Sequence, residues 1–103
     1  MSHPIYVEPN SASFHVVPAQ YASLQAELHG DSRVSHLVLD PTSGSATVEN
    51  VDFSWAYDGT STLIVTVVKK HGLLTEHYPN AAIFDTLQKQ LLGGALYTTG
   101  QVK

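Results

Sequence analysis

The chain has 103 residues, no cysteine and a formal net charge of -4, from 5 Lys and Arg against 9 Asp and Glu. Absent cysteine excludes disulfides and thiolate metal sites, five dispersed basic residues make too thin a positive field for sequence-independent nucleic-acid binding, and no apolar run approaches the roughly 20 residues of a membrane span. Charged residues are only 14% of the chain, against roughly 25% in an ordinary soluble domain, so copies repel one another weakly and self-association is expected.

The opening stretch MSHPIYVEPNSAS has no charged segment followed by an apolar run, so no signal peptide is read and a soluble cytoplasmic protein is the expectation. Residues 1–12, with Pro4 and Pro9, read as an extended arm carrying a short strand at Ile5, Tyr6 and Val7. Phe14 to Val17 reads as a short strand stopped by Pro18. From there the period changes. Tyr21, Leu24 and Leu28 lie three and four apart, Pro18 suits a first helical turn and Gly30 a helix end, which predicts a helix over 18–29. Val34 to Leu39 predicts a strand closed by Asp40-Pro41, and Pro41 to Gly44 has turn chemistry. A long strand is predicted over 46–56 and another over 62–70.

Between these two, the choice of loop decides which side chains share a face. A three-residue loop at Tyr57-Asp58-Gly59, with Gly59 in the left-handed position, pairs Ala56 with Thr60, Phe53 with Leu63 and Val51 with Val65. That register gathers Val51, Phe53 and Trp55 with apolar partners and leaves Tyr57 in the turn as the most exposed aromatic. Beyond a mixed connection, Pro79 fits a helix start, and Ile83, Phe84, Leu87 and Leu91 form a stripe ended by Gly93-Gly94. The tail over 95–103 is mostly polar and is expected to fray.

Strand, helix, three strands and helix in that order predict a single α+β domain over 13–94. Its core is an antiparallel meander of three to four strands with two amphipathic helices packed on one face. The helix stripes need a surface and the Val51, Phe53 and Trp55 row needs a cover, so that row reads as core wall. Apolar residues remain on the side without helices. Ile64 and Val68 point there, and Leu37 and Leu39 fall opposite Val34, His36 and Val38. Either the arm with Ile5, Tyr6 and Val7 folds over this surface or a second copy covers it.

Chemistry is sparse. The chain has six histidines, and the densest polar grouping is Lys70, His71, Glu76, His77 and Tyr78 ahead of the last helix. The spacing from His71 to His77 fits no zinc motif, so no metal or other cofactor is assigned. His36, among Val34, Leu37, Val38 and Leu39, reads as a buried, hydrogen-bonded histidine. Ser54, His36 and Asp52 supply the residue types of a hydrolytic triad, but no G-x-S-x-G turn presents the serine. Gly93-Gly94 closes a helix and so cannot cradle a phosphate. Lys69-Lys70 with His71 reads as a solvated corner.

The leading expectation is a small non-catalytic binding or accessory module that forms a homodimer and has a protein partner rather than nucleic acid or membrane. A small-molecule or metal-binding protein using Lys70 and the His71 to Tyr78 loop is the alternative. An accessory protein of a virus or mobile element that inhibits a host partner is the third.

Overall fold

The computed structural model describes residues 10–72, 79–90 and 97–100. The elements are β1 (Ser11–His15), α1 (Pro18–Gly30), β2 (Val34–Leu39), β3 (Ser43–Val48), β4 (Val51–Tyr57), β5 (Thr62–Lys70), α2 (Asn80–Gln90) and β6 (Tyr97–Gly100). The strands form one antiparallel sheet in the order β2-β3-β4-β5-β1-β6. The expected α+β class holds, with two helices and an open antiparallel sheet. Among the described residues the expected three to four strands are corrected to six.

The first strand is predicted but placed late, and one of the two added strands lies at the other end of the described chain. β1 begins at Ser11, inside the stretch read as an arm, and inserts between β5 and β6. β6 lies in the tail read as frayed and pairs with β1. Ile5, Tyr6 and Val7 lie outside the described residues.

The remaining addition comes from splitting the predicted strand over 46–56. Glu49 and Asn50 have φ of 47° and 71°, and Val48 pairs directly with Val51. Positive φ at both central residues is the signature of a two-residue turn whose twist matches the flanking strands. β3 and β4 are therefore a tight hairpin.

The β4–β5 hairpin keeps the predicted faces but not the predicted register. Phe53 pairs with Val67, Trp55 with Val65 and Tyr57 with Leu63, four residues further along β5 than expected. An even slip conserves which side chains face inward. The longer loop is held by Asp58, whose Oδ1 accepts from the backbone N–H groups of Thr60, Ser61 and Thr62 at 2.8, 2.8 and 3.0 Å. Gly59 sits at φ 89°, as a left-handed turn position requires.

α1 starts at Pro18, and the Gln20 side chain accepts from the Val17 N–H at 3.2 Å, satisfying one end of the helix. Thirteen residues at 1.5 Å each give about 20 Å, comparable with the four strand spacings of about 4.8 Å that separate β1 from β2. α1 is thus long enough to carry the chain across the sheet.

Both helices pack on one face, in a core that includes Phe14, Val16, Tyr21, Leu24, Leu28, Phe53, Trp55, Leu63, Val65 and Phe84. Phe84 of α2 meets Phe14 edge-on with ring centroids 6.4 Å apart. The Val51, Phe53 and Trp55 row is buried, as expected. The expectation of an exposed Tyr57 is overturned. Its ring stacks on Tyr21 at 4.4 Å, and its hydroxyl donates to the Val16 carbonyl at 2.8 Å. The longer loop moves the turn beyond Tyr57 and leaves this ring inside the sheet.

Candidate functional site

Alternation along the strands assigns the face opposite the helices. Ser11 and Ser13 of β1, Ser45 and Thr47 of β3, Asp52, Ser54 and Ala56 of β4, and Ile64, Thr66 and Val68 of β5 occupy outward positions. One row crosses five strands. Val38 pairs with Ser45, Ser45 with Ser54, Ser54 with Thr66, and Thr66 with Ser11. The face is therefore a hydroxyl-rich plane punctuated by apolar side chains.

Two irregularities shape it. In β2 the pairing with β3 shifts between Ser35 and Val38, and His36 adopts φ 52°. The bulge inserts an extra residue. Val34, Leu37 and Leu39 consequently all pack against the core, while Val38 turns outward. Leu37 and Leu39, expected on the free surface, are corrected to core-facing residues, and His36 is exposed rather than buried. A second shift lies between Asp52 and Phe53 of β4, opposite Val68. Val68 is left outward and 63% exposed, with Ile64 at 42% and Val38 at 54%.

Beside Val68 lies the most polar cluster of this face. His71 Nε2 stands 2.8 Å from Asp52 Oδ2, and the Thr47 hydroxyl donates to Asp52 Oδ1 at 2.5 Å. A carboxylate only accepts, so the imidazole proton belongs on Nε2 and the neutral ring keeps Nδ1 as an acceptor. The His71 N–H donates to the Asn50 carbonyl at 2.7 Å, which ties this residue to the β3–β4 turn. The Thr47 hydroxyl first, then His71, and also the charge of Lys69 hold the Asp52 carboxyl below its ordinary range. An open concavity of 590 Å³ surrounds the pair, with Ser35, His36, Ser45 and Ser54 on its rim.

A histidine oriented by a carboxylate is half of an acid–base device. A nucleophile is the missing half. Among the described residues no hydroxyl hydrogen-bonds His71. Ser54 follows Asp52 by two positions in an extended strand, about 6.7 Å along it. His36 stands two strands from Asp52, about 9.6 Å across the sheet. Ser54, His36 and Asp52 are therefore not assembled as a triad. Among the described residues no group of three His, Asp or Glu side chains is placed to hold a metal ion.

The sequence grouping of Lys70, His71, Glu76, His77 and Tyr78 is only partly visible. Glu76, His77 and Tyr78 lie outside the described residues. Lys70 pairs in register with the inward residue Val51, whereas His71 turns to Asp52 on the outer face. Sequence reading singled out His71 and Asp52 separately but missed their pairing. The β4–β5 register brings β5's end alongside Asp52, and that register was misjudged.

Among the described residues no helix is long and apolar enough to cross a membrane. No protein-family model, curated protein or solved structure matches this chain significantly.

Proposed function

We propose that this protein is a non-catalytic binding module that works as a homodimer, two copies meeting through the sheet face opposite the helices. The observation that carries this is the concentration of exposed apolar side chains there. Among the described residues, Val38, Ile64 and Val68 are three of the four large exposed hydrophobic residues, and all three lie on this face. Around them are hydroxyls, which pack against a like surface without a charge to desolvate. The carboxylate of the same plane, Asp52, already has Thr47 and His71 as partners.

Size sets the expected strength. Six strands about 4.8 Å apart and about six residues long at about 3.4 Å each give a face of roughly 600 Å². Two such faces bury roughly 1,200 Å², the low end of a specific interface. We expect a micromolar dissociation constant for so modest a face, tight enough to populate a dimer at tens of micromolar.

Native mass spectrometry and sedimentation at tens of micromolar test the proposal. The wild-type chain should be dimeric. Ile64→Lys and Val68→Lys should each weaken the dimer by about tenfold or more, ~1.4 kcal/mol. Val17→Lys is the control, because Val17 is 43% exposed at the start of α1, away from this face. A monomeric wild type, or a dimer unchanged by both β5 variants, sinks the proposal.

A further inference from the structure

Resting on the dimer proposed above, we infer that its contact is acid-sensitive: two copies separate as pH falls, because histidines lie on the face through which they meet. His15 takes the next outward position of β1 after Ser11 and Ser13, opposite Thr62 of β5. His36 stands on the rim of the same face at β2, and His71 beside Asp52. His15 and His36 are exposed, and His71 is partly so.

The charged groups described around these rings are few. Asp52 and Lys69 stand opposite one another on β4 and β5, and Asp52 also meets His71 at 2.8 Å. Near His15, the Asp58 carboxylate is committed to three backbone N–H groups of its own loop. Near His36, Arg33 pairs with Asp31 at 2.8 Å, Glu49 acts on Arg33 from the β3–β4 turn, and His29 of α1 lines the adjoining concavity. β3 and β6 carry no charged residue. Among the described residues no carboxylate bonds the ring of His15 or His36.

Histidine ordinarily gains its charge between about pH 8 and pH 5. Above that range the face carries Asp52 and Lys69, whose charges cancel. Protonation at His71 is met by Asp52, whereas at His15 and His36 it adds positive charge with no bonded counter-ion. Two copies of one face bring like charges together whatever the angle between them. An imidazolium covered without a partner also loses its hydration. Both effects oppose association. The charge of the whole chain argues for the reverse. It is -4 with neutral histidines, and the isoelectric point is near 5.8. Acid therefore removes net charge, and a protein close to its isoelectric point ordinarily associates more. The sign of the response separates an effect of this face from a general one.

Sedimentation equilibrium of the full chain at about pH 7.5 and about pH 5.5 tests this, since the two values bracket histidine titration. The wild-type Kd should rise about tenfold or more at the lower pH. A double variant, His15→Gln with His36→Asn, should keep the two Kd values within about twofold of each other. Asparagine is chosen at His36 because it tolerates the φ of 52° there. Far-UV circular dichroism at both pH values distinguishes dissociation from unfolding. A wild type that is monomeric at the higher pH overturns the dimer itself and the acid response with it. A dimer that is present at the higher pH and unchanged or tighter at the lower one overturns the acid response alone. So does a double variant that responds as the wild type does, or a loss of helix signal at the lower pH.

Discussion

Asp58 shows how one side chain holds a loop. Its carboxylate receives three backbone N–H groups, and these bonds, with that of Thr62 foremost, hold its pKa far below the ordinary carboxylate range. Asp52 is shifted the same way, more mildly. A carboxylate depressed in the folded state stabilises above its unfolded pKa of about 3.9 and loses that contribution as pH falls through the folded value. The urea midpoint should therefore be level above about pH 5 and fall progressively toward about pH 2. Asp58→Asn retains an acceptor but not the charge. It should lower the plateau and flatten the acid limb, and an unchanged limb would remove Asp58 as its source. A different residue, Gly44, sets the position of the indole. Gly44→Ala places a Cβ against the Trp55 ring and the Val38 carbonyl, and should cost about 1–3 kcal/mol by overpacking. Urea unfolding measures that cost, and a shift in tryptophan emission of the folded state shows whether the ring has moved.

At the scale of elements, the helices and the buried face of the sheet were legible because their signals are periodic. Tyr21, Leu24 and Leu28 sit three and four apart and are buried, and the even register slip left Phe53, Trp55, Leu63 and Val65 on the predicted side. The β3–β4 turn was not read, because Glu49-Asn50 lacks the glycine that usually marks a two-residue loop. A trace of it was present. Ala46 and Val48 face inward at even positions and Val51 and Phe53 at odd ones, a phase slip that a regular strand without a bulge cannot make. The bulge at His36 hid the orientation of Leu37 in the same way. β1 was read three residues late, at Phe14 to Val17, because Ser11 and Ser13 carry little strand signal and pairing from both sides overrides propensity, and β6 was missed because its four residues pair only with β1, far away in sequence. Of the candidate site, His71 and Asp52 were visible as residues but their contact depends on long-range register. The turn yields a prediction of its own. Glu49 occupies left-handed space that asparagine tolerates better, so Glu49→Asn should raise stability by about 0.5 kcal/mol, measured as an increased urea midpoint at unchanged slope.

For the whole molecule, the two faces of the sheet divide the labour. One is sealed by helices, and the other presents Val38, Ile64 and Val68 to solvent. Self-association through such a plane is apolar, so it should survive added salt, and a dimer that dissolves at about 1 M salt, where the Debye length is about 3 Å, would point to ionic contacts instead. The strand order carries a further consequence, for time rather than for surface. β2 to β5 are joined by short turns and pair with their neighbours in sequence, whereas both partners of β1 come later in the chain, Ser11 meeting Thr66 on one side and Gly100 on the other. Closing so long a loop is entropically late. The meander should therefore form the folding nucleus and β1 dock afterwards. Phe53→Leu should slow refolding, while Phe14→Leu should leave refolding nearly unchanged and speed unfolding. Until β5 exists, β1 waits with Ala12 and Phe14 uncovered, and during synthesis it is the segment for which a chaperone would have the longest opportunity.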